Sequence, residues 1–351
     1  MRQLIFFIFP YHKIGGADKV HLEIIKMLPY KPIIFFDNLT DVDFCPEFEP
    51  FSRCYKINSV RRKKAVYWFL LIRSFFFKTT IFSCNSFFFY ELVAKLKNLT
   101  HNLDLTHAFS LPDLGIETFS LPVIPYLHKR VVINQRTFSN YQKLYQEAEI
   151  GIQFMERFEI IPNGLEICVF NQKAIKTRFE NFTIGFVGRN SKEKRPEVFF
   201  DLSQKIASAS AIAIGDDFSD FKQKFPDVYF IEGSNDPTVI RSCFQNISVL
   251  IVPSYREGFP MVVMEAMELG IPVIATPVGN IAEHVLNNVN GFVSPSLDIN
   301  GFISFSITVI QRLQKDFEYY VQISVAARAH AEQHFGLEKF RARYQELFKQ
   351  R

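Results

Sequence analysis

The feature that most limits this chain is a series of short apolar runs, each closed by a turn and followed by a longer mixed segment. "LIFFIF" (4–9) opens the series, and "IGGADKVHLEIIKML" follows it as a glycine turn into an amphipathic helix. "PIIFF" (32–36), "DLTHAF" (104–109), "RVVIN" (130–134) and "FEIIPNG" (158–164) read as further strand ends. Beyond them come "FTIGFVG" (182–188), "SAIAIG" (210–215), "VYFIEG" (228–233), "SVLIVPS" (248–254) and "IPVIATP" (271–277). Strands apolar on both faces that alternate with helices predict parallel sheets covered on both sides. The runs are too many for one comfortable open sheet, and 351 residues suit two domains. Periodicity is weakest in "EICVFNQKAIKTRFENF" (166–182), which is the expected linker. In doubly wound α/β sheets ligands sit outside the carboxyl ends of the strands, so two such domains are expected to share a site in the cleft between them.

Other classes are set aside on residue counts. No stretch reaches the roughly 18 uninterrupted apolar residues of a membrane span. "RQLIFFIFP" has one basic residue, is cut by Pro10 and lacks a small-residue cleavage site, so it reads as a first strand rather than a signal peptide. Cys45, Cys54, Cys84, Cys168 and Cys243 are scattered, with no C-x-x-C pair and no histidine at metal spacing. They read as reduced thiols of a cytosolic chain without a zinc site. The N-x-T sequons at Asn38 and Asn98 then carry no meaning. A formal charge of +4 is too small to argue for nucleic acid. No G-x-G-x-x-G follows the first strand, which removes the usual dehydrogenase signal.

One stretch carries chemistry: "YREGFPMVVMEAMELGIPVIATPVGN" (255–280). It follows the strand "SVLIVPS". Pro260 suits the first turn of a helix, Gly270 its C-terminal cap, and Pro272 prevents continuation. "PMVVMEAMEL" is therefore a short helix whose free N-terminal amides favour an anion such as a diphosphate. Glu257 lies in the loop before it and Glu265 within it. Spacing alone leaves two equal readings: a functional pair, or a solvated loop acid at Glu257 with an ordinary helix-surface acid at Glu265.

The wording of the segment resembles retaining glycosyltransferases of family 4 (glycosyl transferases group 1), whose E-x₇-E signature sits in a sequence like "PS-x-x-EGFG-x-x-x-x-EAMA-x-G-x-PV-x-A". Pro253, Ser254, Glu257, Gly258, Phe259, Glu265, Ala266, Met267, Gly270, Pro272, Val273 and Ala275 match it at fixed spacing. Pro260 stands where glycine is usual, which leaves the amides of Met261 and Val262 to meet a phosphate. "EIIPNGLE" (159–166) is similar to the family's "V-I-P-N-G-I-D", "FVGRNSKEKRPE" (186–197) to its "F-V-G-R" turn, and "HKIGGADKV" (12–20) to its N-terminal "GG-x-E-R" loop. The resemblance is full in the second half and thin between about 30 and 100. It implies the GT-B fold: two tandem Rossmann-like doubly wound α/β domains facing a cleft. On this reading residues 1–165 are the acceptor-side domain, 166–182 the linker and 183–330 the nucleotide-sugar domain, with a helix in 331–351 crossing back to the first domain.

The resemblance also implies the chemistry. A sugar passes from a UDP- or GDP-linked donor to a hydroxyl of a saccharide or lipid-linked saccharide, with retention of configuration and without metal or cofactor. Glu257 would contact the donor sugar and Glu265 the ribose. Arg189 and Lys194 would hold the diphosphate, Gly15 and Gly16 would let backbone approach the sugar or a phosphate, and Gly215 with "EGSND" (232–236) would flank the base. No D-x-D of the metal-dependent kind appears on a strand end; "DVD" (41–43) is the nearest and lies in a polar loop. The family's first-domain histidine is expected at His107, with His128 as rival. Two other functions share the architecture: a nucleotide-sugar 2-epimerase, which would not call for this E-x₇-E wording, and a degenerate nucleotide-binding scaffold, against which the intact Glu257, Glu265, Arg189 and Lys194 argue.

A separate feature concerns partners. No acidic residue lies between Glu49 and Glu91, while Arg61, Arg62, Lys63 and Lys64 lead into "AVYWFLLIRSFFF" (65–77), which holds the chain's single tryptophan, Trp68. The segment reads either as an interfacial helix on an anionic membrane or as a core helix after a solvated basic turn. The expected location is the cytoplasm, peripheral to the inner face of the membrane on the first of these readings.

Overall fold

The computed structural model describes residues 4–10, 15–37, 47–111, 113, 115–206, 208–234 and 236–349. The sequence features at Asn38, "DVD" (41–43), Cys45, His12 to Ile14 and Asn235 lie outside them. Cys54, Cys84, Cys168 and Cys243 are free thiols. The chain divides into two compact units: unit 1 takes in the chain up to Lys13, Ala17–Pro162 and Phe340 onward, and unit 2 takes in Ile14–Gly16 and Asn163–Lys339.

Unit 1 is built on seven strands, β1 (Leu4–Phe9), β2 (Ile33–Phe36), β3 (Arg53–Lys56), β4 (Thr79–Cys84), β5 (His101–Thr106), β6 (Lys129–Val132) and β7 (Phe158–Ile160), in the order β3-β2-β1-β4-β5-β6-β7. The registered pairs are all parallel. All six residues of β4 are buried, as a strand covered by helices on both faces requires. Phe6, Ile8 and Ile81 pack with Leu70, Phe89, Leu92 and Leu96 from the covering helices. Those helices start where the sequence offers caps: Ser59, Ser86 and Asn134 each accept an N–H from the residue three further on.

A buried polar cluster fixes β5 against β6. Arg130 Nε donates to Asp104 Oδ2 at 2.9 Å, Tyr90 Oη donates to the same oxygen at 2.9 Å, and Arg130 Nη1 and Nη2 reach Tyr145 Oη and Ser120 Oγ. Burial pushes the Asp104 carboxyl up, and the Arg130 guanidinium opposes that shift. The last helix, Leu337–Lys349, lays Tyr344 and Phe348 against Phe82 of β4, with ring centroids 6.2 and 5.8 Å apart. Arg341 pairs with Glu23 at 2.9 Å and Arg343 with Glu159 at 3.0 Å, so this helix is bound to unit 1 through charge as well as rings. A break after His334, at Gly336, separates it from the Phe317–His334 helix.

Unit 2 holds β8 (Thr183–Val187), β9 (Ser210–Ile214), β10 (Val228–Ile231), β11 (Val249–Val252), β12 (Val273–Ala275) and β13 (Phe292–Val293), in the order β10-β9-β8-β11-β12-β13, again with parallel pairing. Strand order reverses between β8 and β11, the position at which open α/β sheets leave a crevice for ligands.

The 166–182 stretch differs from the expected linker. It carries a helix, Lys173–Glu180, and its Ile175 and Phe182 belong to the unit 2 core. Arg178 Nη2 donates to the carbonyls of Leu269 and Gly270. Cys168 N–H donates to Glu268 Oε1, and Arg328 bonds both Glu268 and the Cys168 carbonyl. Its apolar residues are irregularly spaced, so periodicity is weak, and buried polar contacts add to the packing of Ile175 and Phe182. Glu268 and Arg328 are 1% and 6% exposed. Without Arg328, Glu268 keeps only the more exposed Arg241 as a cation, 3.4 Å from its Oε2, so Arg328→Ala is expected to destabilise the protein by about 2 kcal/mol. Urea unfolding checks this; a loss below ~1 kcal/mol would mean the pair is not a tether.

Candidate functional site

The turn after β8 and the loop after β11 converge at the reversal point of unit 2. Lys194 Nζ lies 2.5 Å from Glu257 Oε1, and Ser254 Oγ donates to the same oxygen at 2.8 Å. The Glu257 side chain is 9% exposed, so this is an ion pair largely withdrawn from water. Arg189 stands beside it in sequence, more exposed, with Nη2 3.6 Å from Glu193. The 188–195 turn is held from behind by a residue the sequence reading passed over. Arg195 takes up a left-handed conformation (φ 48°), and its guanidinium donates to the carbonyls of Pro253, Leu297 and Ser254. Tyr255 N–H donates to the Glu193 carbonyl at 3.0 Å. The two loops are thus bonded to each other through backbone as well as through Lys194 and Glu257.

The Met261–Glu268 helix starts at this junction. Pro260 precedes it in an extended conformation (ψ 131°), one position earlier than the first-turn placement its sequence suggests, and its carbonyl accepts the Val263 N–H. A helix cannot satisfy its own first-turn amides, so those of Met261 and Val262 have no partner within the helix. Gly258, Phe259 and Met261 are buried and Glu265 is half-buried within the helix. Gly270, at φ 63°, ends it as the sequence suggests.

Two glycines allow loops to approach where no Cβ fits. A Cβ on Gly279 (φ 55°) would lie 2.1 Å from the Gly258 carbonyl oxygen and 2.4 Å from that of Glu257. One on Gly215 (φ 155°) would lie 1.9 Å from the Gly188 carbonyl oxygen. Gly215 therefore brings the end of β9 onto the end of β8, beside the 188–195 turn. Gly279, with Asn280 N–H donating to the Gly258 carbonyl at 2.8 Å, cradles the Glu257 loop. Only the "PVGN" wording could have pointed to Gly279.

Unit 1 has its own cluster at strand carboxyl ends. His107 directly follows β5, and its Nε2 lies 3.1 Å from His21 Nε2. His21, in the Gly16–Lys26 helix, stacks on Phe9 at 4.1 Å, and its Nδ1 lies 3.8 Å from Asp18 Oδ1. His21 and Asp18 were missed because a histidine inside an amphipathic helix has no distinctive spacing. Burial, with His21 adding to it, pushes the His107 imidazole down to about 3, which keeps it neutral at pH 7. His21, Cys84 and His107 bring ligand atoms within 4.8 Å of one another, the grouping among the described residues best able to hold a metal ion. His128 stands at the opposite, amino-terminal edge of the sheet just before β6, where its Nδ1 accepts the Asn102 N–H. Gly15 and Gly16 lie at the start of the Gly16–Lys26 helix.

The basic run before Trp68 divides in two. Lys63 pairs with Asp37, and Arg62 donates to the Lys56 carbonyl and Asn58. Arg61 and Lys64 are exposed. Among the described residues, no helix is long and apolar enough to cross a membrane.

Two measurements follow from this geometry. Gly279→Ala should lower the melting temperature and weaken binding at the Glu257 loop; an unchanged thermal profile would show that the loop accommodates a Cβ. The second concerns His284 and His330, whose rings meet at 3.1 Å (Nδ1 to Nε2) with His334 beside them. Burial first, then neighbouring imidazoles, lowers both to about 4. Below pH 6.5 the unfolded chain takes up protons that the folded chain refuses. Their stabilisation is therefore complete above pH 6.5 and lost as pH falls toward 4. The melting temperature of His330→Gln should fall less steeply over that window than that of wild type; parallel curves would exclude the cluster as the cause.

Comparison with known proteins agrees with this architecture. Residues 181–312 match the family model for glycosyl transferases group 1. The capsular polysaccharide biosynthesis glycosyltransferase CapM of Staphylococcus aureus is 32% identical over 179 residues, 47% of this chain and 45% of CapM. The Vi polysaccharide biosynthesis protein VipC/TviE of Salmonella typhi is 27% identical over 206 residues, covering 46% of this chain and 35% of that one. The chain thus spans about half or less of the length of these curated relatives. Among solved structures, Anabaena HepE in complex with UDP and glucose superimposes with a TM-score of 0.78 over 99% of both chains at 17% identity. Most of its second unit is thus similar to the glycosyl transferases group 1, and along its whole length the chain shares the GT-B fold with such structures.

Proposed function

We propose that the chain is a glycosyltransferase that moves a sugar from a UDP- or GDP-linked donor to a hydroxyl of a saccharide or lipid-linked saccharide, retaining anomeric configuration and using no metal ion. The observation that carries this reading is the Lys194–Glu257 pair at the head of the Met261–Glu268 helix, where the unit 2 strand order reverses. A diphosphate leaving group needs positive charge that is already in place when the bond breaks. Lys194, Arg189 and the amides of Met261 and Val262 supply it together. Glu257 is suited to the donor sugar: its Oε1 takes both Lys194 and Ser254, which fixes the carboxylate and leaves Oε2 for a sugar hydroxyl. Glu265 is assigned to the ribose, Gly215 to the wall near the base, and neutral His107 to hydrogen bonding with the transferred sugar. CapM, a capsular polysaccharide glycosyltransferase, and HepE, held with UDP and glucose, support this donor and product class. The cytoplasmic side of the cell membrane is the matching location.

Thermal-shift titration with UDP, GDP, ADP and CMP tests the donor. One diphosphate should raise the melting temperature of wild type and fail to raise that of Arg189→Ala or Lys194→Ala. No shift with any nucleotide would sink the reading. Given an active donor and acceptor pair, Glu257→Gln should cut kcat by about 100-fold or more. His107→Ala should also reduce turnover well below wild type while the fold is kept, and near-wild-type turnover would remove His107 from the mechanism.

A further inference from the structure

The Val60–Phe76 helix is built unlike the other long helices. Of its 17 residues only Val66 and Leu70 are buried. At 100° per residue, Arg61, Lys64, Trp68, Ile72, Phe75 and Phe76 fall on the side opposite those two. Trp68 is 57% exposed, Ile72 56%, Phe75 67% and Phe76 71%. The face therefore has a basic first turn and an aromatic, aliphatic second half. Its own unit gives it no cover, and a polar outer face is what a solvated helix would carry. Arg73 does not interrupt it, because its guanidinium is turned inward, 5.3 Å from the Phe6 ring and 4.8 Å from that of Phe77.

We propose that this face docks on an anionic lipid bilayer, with Trp68, Ile72, Phe75 and Phe76 entering the headgroup–acyl boundary and Arg61 and Lys64 meeting lipid phosphates. Charge complementarity favours lipid over a protein partner: no acidic residue occurs between Glu49 and Glu91, so nothing in this segment repels an anionic surface. The pairing of aromatic bulk with flanking cations is the composition that interfacial helices use. At 17 residues the helix is long enough to lie in the interface and, with its basic first turn, unsuited to spanning it. The inference rests on unit 1 alone and stands apart from the transferase reading.

Trp68 is the single tryptophan of the chain and lies on the face itself, so its fluorescence reports docking directly. The full chain is titrated with vesicles of phosphatidylcholine and phosphatidylglycerol (1:1) in low salt. Emission should shift to the blue and be quenched by lipids brominated in the acyl chain. Flotation should recover the protein with these vesicles at least tenfold better than with pure phosphatidylcholine, and 0.5 M salt should remove most of that advantage. Phe75→Ser/Phe76→Ser alters two exposed side chains and should keep the wild-type melting curve while reducing flotation at least tenfold. Arg61→Glu/Lys64→Glu should abolish the preference for anionic lipid. Three results would overturn the proposal: no change in Trp68 emission with anionic vesicles, equal binding to neutral vesicles, or a blue shift that follows protein concentration without lipid, which would assign the face to a second copy of the chain.

Discussion

Parallel pairing of strands buried on both faces is the constraint from which the rest of this molecule follows. A parallel neighbour can be reached only by a crossover, so helices must cover the sheet and every loop that leaves a carboxyl end appears on the same edge. Where strand order reverses, two such loops diverge and leave a hollow between them. In unit 2 the loops in question follow β8 and β11. That is why Lys194 and Glu257, 63 positions apart in sequence, meet at 2.5 Å.

Bringing the loops together is not the same as holding them still. Arg195 does much of the holding, with three backbone carbonyls within reach of one guanidinium. Its planar fork suits this where a lysine would not. The glycines at 215 and 279 act differently, by leaving out atoms, so that carbonyl oxygens sit where a Cβ would otherwise be. Further down, the Glu268–Arg328 pair clamps the start of unit 2 to the helix that opens at the site. The chemistry proposed for this scaffold is electrostatic, and it would depend on charges held in position before a ligand binds.

How much of this was legible in the sequence depends on which interactions leave a periodic trace. The two-sheet α/β architecture was legible, because strands covered on both faces repeat as apolar runs. The Met261–Glu268 helix was legible through its punctuation, with proline before and glycine after. The central strand β4 was not: "TTIFSC" is buried throughout, yet it follows a stretch so rich in phenylalanine that no boundary shows. Edge strand β3, with exposed Arg53 and Tyr55, lacks the apolar signal altogether. The 166–182 segment looked like a linker because its core residues follow no regular period and hydrogen bonds share the work of securing it. Arg195, Gly279 and His21 were hidden for a related reason. Their roles exist only once distant segments have been folded together, and no local pattern records that.

The Leu337–Lys349 helix has a consequence for the order in which the molecule can form. Its Tyr344 and Phe348 rest on Phe82, in the middle of the first sheet, yet they are made after the whole of unit 2. During synthesis the first sheet therefore leaves the ribosome with one patch of its interior open, and that patch stays wet until the final turns of helix are delivered. Unit 2, apart from Ile14–Gly16, is one continuous stretch, Asn163–Lys339, and can close while still tethered. The half of the protein translated first is thus the half completed last.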